Sequence, residues 1–246
     1  MAGAAGRAEA AVLTESGIVT FRFGIETNSG GRTVIDQQHT DIGIPYVGGA
    51  WDVHVHGDEV GEFQANEALL YANPGARVEM PDMPFYNSFI GATAGSTVWI
   101  MPQTQSTDLI FLGFGAEEMT QADIDSLVAW NPGDSRGSAN TLGKWLRVEL
   151  VSVSGPGEFS MWANSGFGNP DVFFSTAEGG ITSDDVVHVV AGGHSHYNWG
   201  FTEAGEYEIS LRVSTFAIPE PSTNLLIAAA GVTLFLVVRR RSPKRA

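Results

Sequence analysis

The stretch that most constrains the fold of this chain is a strict alternation of apolar and polar residues near position 210. Its apolar members are Tyr207, Ile209, Leu211 and Val213. Its polar members are Glu206, Glu208, Ser210 and Arg212. Side chains two positions apart share one face of a strand, so the pattern predicts a half-buried β-strand over 206–215.

Most of the remaining sequence also favours strands. Apolar or β-branched stretches alternate with clusters of Gly, Pro, Asn and Asp, as in all-β domains. Further strands are predicted at 18–24, 51–56, 97–101, 109–114, 145–154 and 186–190. The Gly turn before Tyr207 resembles the closing strand of immunoglobulin-like sandwiches. We therefore expect a mostly β protein, an antiparallel immunoglobulin-like or jelly-roll-like sandwich.

One short helical insertion is predicted at 121–130. Thr120 is in the N-cap position and Asp123 follows three residues later, which is a capping-box pattern. The sequence Asn131-Pro132-Gly133 would end the helix. The acidic residues nearby, Glu117 and Glu118, are expected to form a solvated surface.

Charge and cysteine content exclude several classes of function. The 246 residues include 13 bases and 28 acids. Five of those bases lie after Ile218 against one acid, which leaves a net charge of −19 in residues 1–218. Such a body repels nucleic acid, so we expect no nucleic-acid partner. The absence of cysteine excludes disulfides, thiolate zinc and a cysteine nucleophile.

The end of the chain combines three ordered features. Pro219, Glu220 and Pro221 break regular structure, an apolar run of 14 residues covers 225–238, and basic residues follow. The first of these basic residues are Arg239, Arg240 and Arg241. As a helix the apolar run would be about 21 Å long, which is short for a hydrocarbon core of about 30 Å. We predict a short transmembrane helix at 224–238, the alternative being a buried C-terminal helix of the domain.

These three features together resemble a PEP-CTERM sorting signal. The resemblance implies export, recognition by exosortase-type sorting machinery, and a membrane anchor that precedes release to the cell surface or matrix. It divides the chain into a disordered N-terminus (1–17), a β-sandwich domain (18–217) and a sorting signal (218–246). The N-terminus lacks the apolar segment of a signal peptide, so we expect it to be the remnant of one. The alternative is a protein that is never exported.

Four of the six histidines form two His-x-His pairs. His54 and His56 alternate with valines, which predicts a strand with valines toward the core and histidines on the opposite side. His194 and His196 follow a glycine turn, where a loop can bend toward a ligand. Neutral imidazole is the commonest metal donor, and several of them with a carboxylate suit zinc, copper, nickel or iron. The predicted metal ligands are His54, His56, His194 and His196, supported by His39 or Asp41.

A second resemblance covers about residues 18–216. The blocks that carry it are HTDIG (39–43), VWIMPQTQ (98–105), FLGFG (111–115), VSGPGEF (153–159) and GHSHYNWGFT (193–202). In this order they are similar to the choice-of-anchor M domain, which is related to an actinobacterial surface-anchored domain found beside metal-type transporters. The resemblance implies no enzymatic activity, and it implies metal capture or delivery only by context.

These observations favour an exported, surface-anchored protein that binds a divalent transition metal, with zinc as the first expectation. A metal transporter or a polysaccharide matrix is a further expected partner. The alternative is a structural or adhesive matrix protein whose histidines only form hydrogen bonds within the sandwich. A metal-dependent hydrolase would need a general base such as Asp41 or Glu59. Because the common catalytic motifs are absent, we expect no enzyme and no catalytic residues.

Overall fold

The structure is a computed structural model that describes residues 11–28, 30–58, 61–164, 169–177 and 179–218. The first nine strands are β1 (Val12–Ile25), β2 (Thr33–Ile35), β3 (Gln38–Gly43), β4 (Tyr46–Val47), β5 (Ala50–Trp51), β6 (His54–Gly57), β7 (Gly61–Gln64), β8 (Ala68–Ala72) and β9 (Arg77–Glu79). The remaining strands are β10 (Thr97–Met101), β11 (Ile110–Gly115), β12 (Trp145–Ser154), β13 (Phe159–Ala163), β14 (Asp171–Ser175), β15 (Val186–Val190), β16 (His194–His196), β17 (Asn198–Phe201) and β18 (Gly205–Ala217). The helices are α1 (Pro84–Ile90) and α2 (Gln121–Ser126), with 3-10 turns at Pro74–Ala76 and Arg136–Ser138.

The strands form three larger sheets and one small hairpin. The six-stranded sheet has the order β15-β12-β18-β1-β8-β2, and a five-stranded sheet has the order β14-β13-β17-β10-β9. A second five-stranded sheet, which we call the site sheet, has the order β16-β11-β3-β6-β7. The prediction of a mostly β fold is confirmed, but the prediction that its strands pair only in antiparallel fashion is wrong. Three pairs are parallel, namely β1 with β8, β2 with β8, and β3 with β11. An alternation of apolar and polar residues determines which side chains of a strand face the core. It does not determine which strands pair with it or in which direction.

The half-buried strand that the alternation of apolar and polar residues predicts is confirmed as β18. Tyr207 and Ile209 are buried, and so are Leu211 and Val213. The Tyr207 hydroxyl donates a hydrogen bond to the Glu203 carbonyl oxygen at 3.0 Å. This bond between an inward tyrosine and the backbone just upstream is the corner found in immunoglobulin-like sandwiches.

Aromatic contacts join the three large sheets around one core. The Trp199 ring, on β17, lies 5.6 Å from the Phe23 ring on β1 and 5.5 Å from the Phe114 ring on β11. The Trp199 indole also donates a hydrogen bond to the Leu112 carbonyl oxygen at 3.2 Å. A layered sandwich fits this arrangement, because residues from all three sheets belong to the same buried cluster.

The helix α2 begins as predicted and ends earlier than predicted. The Thr120 side chain accepts a hydrogen bond from the Asp123 backbone, and the Asp123 side chain accepts from the Thr120 backbone. The helix stops at Ser126 because the next residues pair with the end of β18, where Val128 N–H donates to the Phe216 carbonyl at 2.8 Å. The prediction of a single helix is also wrong, since α1 precedes it.

Two other boundaries differ from the predictions. The sheet begins at Val12, so residues 12–17 belong to β1 rather than to a disordered N-terminus. The strand predicted at 51–56 is split into β5 and β6, because Asp52 N–H bonds back to the Pro45 carbonyl at 3.1 Å.

The predicted membrane segment at 224–238 lies outside the described residues, as do the sorting-signal residues from Pro219 to Arg241. Within the described ranges, neither α1 nor α2 has the length and apolarity required to cross a bilayer.

Candidate metal centre

The site sheet has one face in the core and one face covered with histidines. Ile42 of β3, Val55 of β6 and Phe114 of β11 are buried in the core cluster. Side chains next to them in sequence must point to the opposite face, because successive residues alternate. The predicted arrangement of valine and histidine on 53–56 is therefore confirmed, and the opposite face holds the candidate ligands.

Strand pairing places the two His-x-His pairs in the same two rows across this face. In one row, His196 is opposite Gly113, Gly113 is opposite Asp41, and Asp41 is opposite His56. The second row has a histidine at each end and glycines between them, in the order His194, Gly115, Gly43 and His54. The two pairs, about 140 residues apart in sequence, thus flank two central strands.

Glycines on the central strands leave the space that the ligand side chains fill. A Cβ atom built on Gly43 would lie 2.6 Å from the His54 ring. A Cβ atom on Gly113 would lie 2.5 Å from Asp41 Oδ1 and 2.7 Å from His196 Nδ1. Any side chain at these positions would collide with the imidazoles or the carboxylate. The glycines in HTDIG and FLGFG are therefore part of the site, which sequence reasoning did not recognise.

The first histidine group consists of His39, His194 and His196. One nitrogen from each lies within 4.8 Å of the other two. His39 Nε2 and His196 Nε2 are 3.0 Å apart, and the His196 ring stacks on Phe111 at 3.6 Å. Three atoms this close lie within about 3 Å of a common point, which approaches a zinc–nitrogen distance of 2.0–2.1 Å.

The second histidine group consists of His54 and His56, with Glu118. His54 Nε2 lies 3.0 Å from His56 Nδ1 and 3.4 Å from Glu118 Oε2. A further group of Asp41, His56 and Glu117 also has its ligand atoms within 4.8 Å of one another. The second group is therefore linked to the first through Asp41 and Glu117.

Asp41 lies between the two groups and is fully buried. Its Oδ2 is 3.3 Å from His39 Nε2 and 3.9 Å from His56 Nε2, and its Oδ1 is 3.9 Å from His196 Nε2. Neither carboxylate oxygen has a hydrogen-bond partner. Burial of an unpaired charge is costly, so this carboxylate requires either a proton or a cation.

Burial also shifts the pKa values of titratable groups in the site. Burial raises the pKa of Asp41 to about 6, and Glu117 adds to the effect while His39 opposes it. Burial, reinforced by the nearby His39 and His194, lowers the pKa of His196 to about 4. The pKa of His56 is lowered for the same reasons, burial first and His54 second. His196 and His56 are therefore neutral at pH 7, the form in which imidazole binds a metal.

The structure brings together all six predicted ligands, but it does not place the four paired histidines around one point. They form two groups on either side of Asp41. Sequence reasoning also missed three carboxylates, which are Glu117, Glu118 and Glu62, the last of which groups with His54 and Asp52. Both Glu117 and Glu118 are exposed, as expected of a solvated surface, but Glu117 Oε1 also lies 2.9 Å from His194 Nδ1 and Glu118 Oε2 lies 3.4 Å from His54 Nε2.

His188 belongs to neither histidine group. It is on β15, as expected of an ordinary strand histidine, and packs against Trp130. It therefore offers a histidine control for experiments on the candidate metal centre.

The fold and site define a layered β protein with a histidine and carboxylate cluster on one sheet. Residues 217–241 match the family model described as the PEP-CTERM protein-sorting motif. The motif indicates an exported protein that is sorted to the cell surface and processed by exosortase-type machinery. The match begins at Ala217, the last residue of β18, and no family model supports the resemblance to the choice-of-anchor M domain. No curated protein and no solved structure matches the chain.

Proposed function

We propose that this protein is a surface-sorted β-sandwich that binds a divalent transition metal through its two histidine groups and Asp41. The observation that carries the proposal is the Asp41 carboxylate, which is fully buried, has no hydrogen-bond partner, and is surrounded by imidazoles. A bound cation would compensate its charge.

A purely structural role explains this arrangement less well. Buried carboxylates in protein interiors are normally paired or hydrogen-bonded, because desolvation of the charge costs several kcal/mol. His39 Nε2 approaches Asp41 at 3.3 Å without forming a hydrogen bond. His196 Nδ1 is also buried without a partner. Several unsatisfied polar atoms in one place are typical of a site that has a ligand.

The donor atoms favour a transition metal over calcium or magnesium. Calcium and magnesium prefer sites made of oxygen ligands, whereas imidazole nitrogen suits zinc, copper, nickel and iron. Zinc is the first choice because mixed histidine and carboxylate sites are common for it.

The resemblance to the choice-of-anchor M domain supports a role at the cell surface. That domain occurs beside metal-type transporters, so the proposed activity is capture or delivery of metal outside the cell rather than catalysis. The PEP-CTERM tail would hold the protein at the membrane through its apolar segment until processing. A metal transporter is the proposed partner, and a polysaccharide matrix is the alternative one.

Metal titration of the full chain in detergent tests this proposal. Zinc, copper and nickel are titrated against a competing chelator at pH 7.5. We expect sub-micromolar affinity for at least one of them, and at least a tenfold loss in a His194→Ala/His196→Ala variant. His188→Ala is the matched control and should bind like the wild type. Micromolar or weaker affinity that the double variant does not change would overturn the proposal and favour the structural or adhesive role.

A further inference from the structure

The candidate metal centre has more donors than one ion can use. The five histidines are joined by Asp41, Glu117 and Glu118, and Asp52 and Glu62 form a further group with His54. A structural zinc ion takes four protein ligands, and a catalytic one takes three. Two four-coordinate ions that share one carboxylate need seven ligand residues, which this set of donors provides.

The donors also separate into two sets in space. His39, His194 and His196 form the first set, and Glu117 lies 2.9 Å from the His194 ring. On the other side of Asp41, Glu118 accompanies the second histidine group. His194 and His196 lie on β16, and His54 and His56 lie on β6, three strand spacings or about 14 Å away between backbones. His39 lies on β3, between these two strands. Glu117 also forms a group with Asp41 and His56, so it lies between the two sets, whereas Glu118 belongs to the second set.

Asp41 has the geometry of a shared ligand. Both of its oxygens are buried and unpartnered. Its Oδ1 lies 3.9 Å from His196 Nε2 of the first group, and its Oδ2 lies 3.9 Å from His56 Nε2 of the second group and 3.3 Å from His39 Nε2 of the first. A shared-ligand arrangement therefore uses Nε2 of His56, whereas the His56 nitrogen that faces His54 is Nδ1. A carboxylate that bridges two metal ions places one oxygen on each, and ions in such sites are about 3.5–4 Å apart.

We propose that the site holds two divalent transition-metal ions, one on each histidine group, bridged by the Asp41 carboxylate. This inference rests on the proposed function and adds the number of ions and the ligand that they share. The charge of the cluster agrees with it. Two divalent ions bring four positive charges, and Asp41, Glu117 and Glu118 offset three, with Asp52 and Asp58 close to His54 and His39.

The test is metal stoichiometry and magnetic coupling in the full chain in detergent. The protein is loaded with Zn²⁺ or Co²⁺, free metal is removed, and bound metal per chain is measured by mass spectrometry. We expect two ions per wild-type chain and an exchange-coupled electron paramagnetic resonance signal for the cobalt form. His54→Ala/His56→Ala and His194→Ala/His196→Ala should each retain one ion and lose the coupling.

Two further variants distinguish the role of Asp41 as the bridging ligand from the roles of the two histidine groups. Asp41→Asn should lose the coupling and at least one ion, while His188→Ala should keep two coupled ions. Circular dichroism verifies that each variant is folded. The number of ions and the coupling in the wild type test the two-ion site even if a variant fails to fold. Two ions without coupling, or coupling that survives Asp41→Asn, would overturn the bridge.

The failures of the two proposals are distinguishable. One ion per wild-type chain would overturn the two-ion site and leave the proposed metal-binding function intact. No bound metal under any loading condition would overturn both.

Discussion

Replacement of Asp41 by asparagine in the metal-free protein tests the state of the buried carboxylate directly. The substitution keeps the size of the side chain and removes its charge. A carboxyl with a pKa near 3.9 in the unfolded chain and about 6 in the folded one weakens the fold by about 3 kcal/mol once it is ionised in both states. The asparagine variant does not have this penalty.

The sign of the effect depends on pH. Between about pH 4 and 6 the folded form binds the Asp41 proton more tightly than the unfolded form, so the Asp41 contribution to stability falls as pH rises. Below pH 4 both forms are protonated and the penalty disappears. His196 has the opposite slope, because its pKa is lowered to about 4 and protonation favours unfolding below pH 6.5. In the wild type, the pH dependence from Asp41 and the pH dependence from His196 act in opposite directions. Asp41→Asn removes the Asp41 contribution and leaves that of His196.

The assay is urea unfolding of the metal-free full chain, followed by tryptophan fluorescence at pH 4 and pH 7. We expect the free energy of unfolding of Asp41→Asn, relative to wild type, to rise by about 3 kcal/mol between these two pH values. Asp58→Asn is the matched control, since Asp58 also lies beside His39 but its side chain is 71% exposed. A difference between Asp41→Asn and wild type that does not change with pH would refute the reasoning.

Three other predictions follow from the same structure. Gly113→Ala should destabilise the fold by about 1–3 kcal/mol and weaken zinc binding, because its Cβ would lie 2.5 Å from Asp41 Oδ1. Gly193→Ala is the control and should be nearly neutral in urea unfolding, since the atom nearest its Cβ is 3.4 Å away; equal effects would contradict a role for Gly113 in the site. Tyr207→Phe should cost about 0.5–1.5 kcal/mol by loss of the hydrogen bond to Glu203, and an unchanged thermal midpoint would argue against that bond. Zinc affinity should fall about fivefold between pH 6 and pH 5, because protons compete for Asp41, and isothermal titration at these two pH values checks the change. A constant affinity across that range would show that Asp41 is not a ligand.

The sequence by itself was sufficient for features that depend on near neighbours in the chain. The alternation around Tyr207 predicted β18 and its buried face, and Thr120 with Asp123 predicted the start of α2. The sorting tail was also identified from local sequence. In each case the physical cause acts within a few residues, through the pleat of a strand, a helix cap or the order of a short motif.

The tertiary structure alone decided which strands are neighbours. The parallel pairing of β3 with β11 places Asp41 and three glycines between the two His-x-His pairs, and it brings the loop with Glu117 and Glu118 over the same face. No local periodicity specifies such a pairing, because it joins segments about 70 residues apart and depends on how the whole core is filled. The ligand types could therefore be read from the chain, while their division into two groups around a buried carboxylate required the fold.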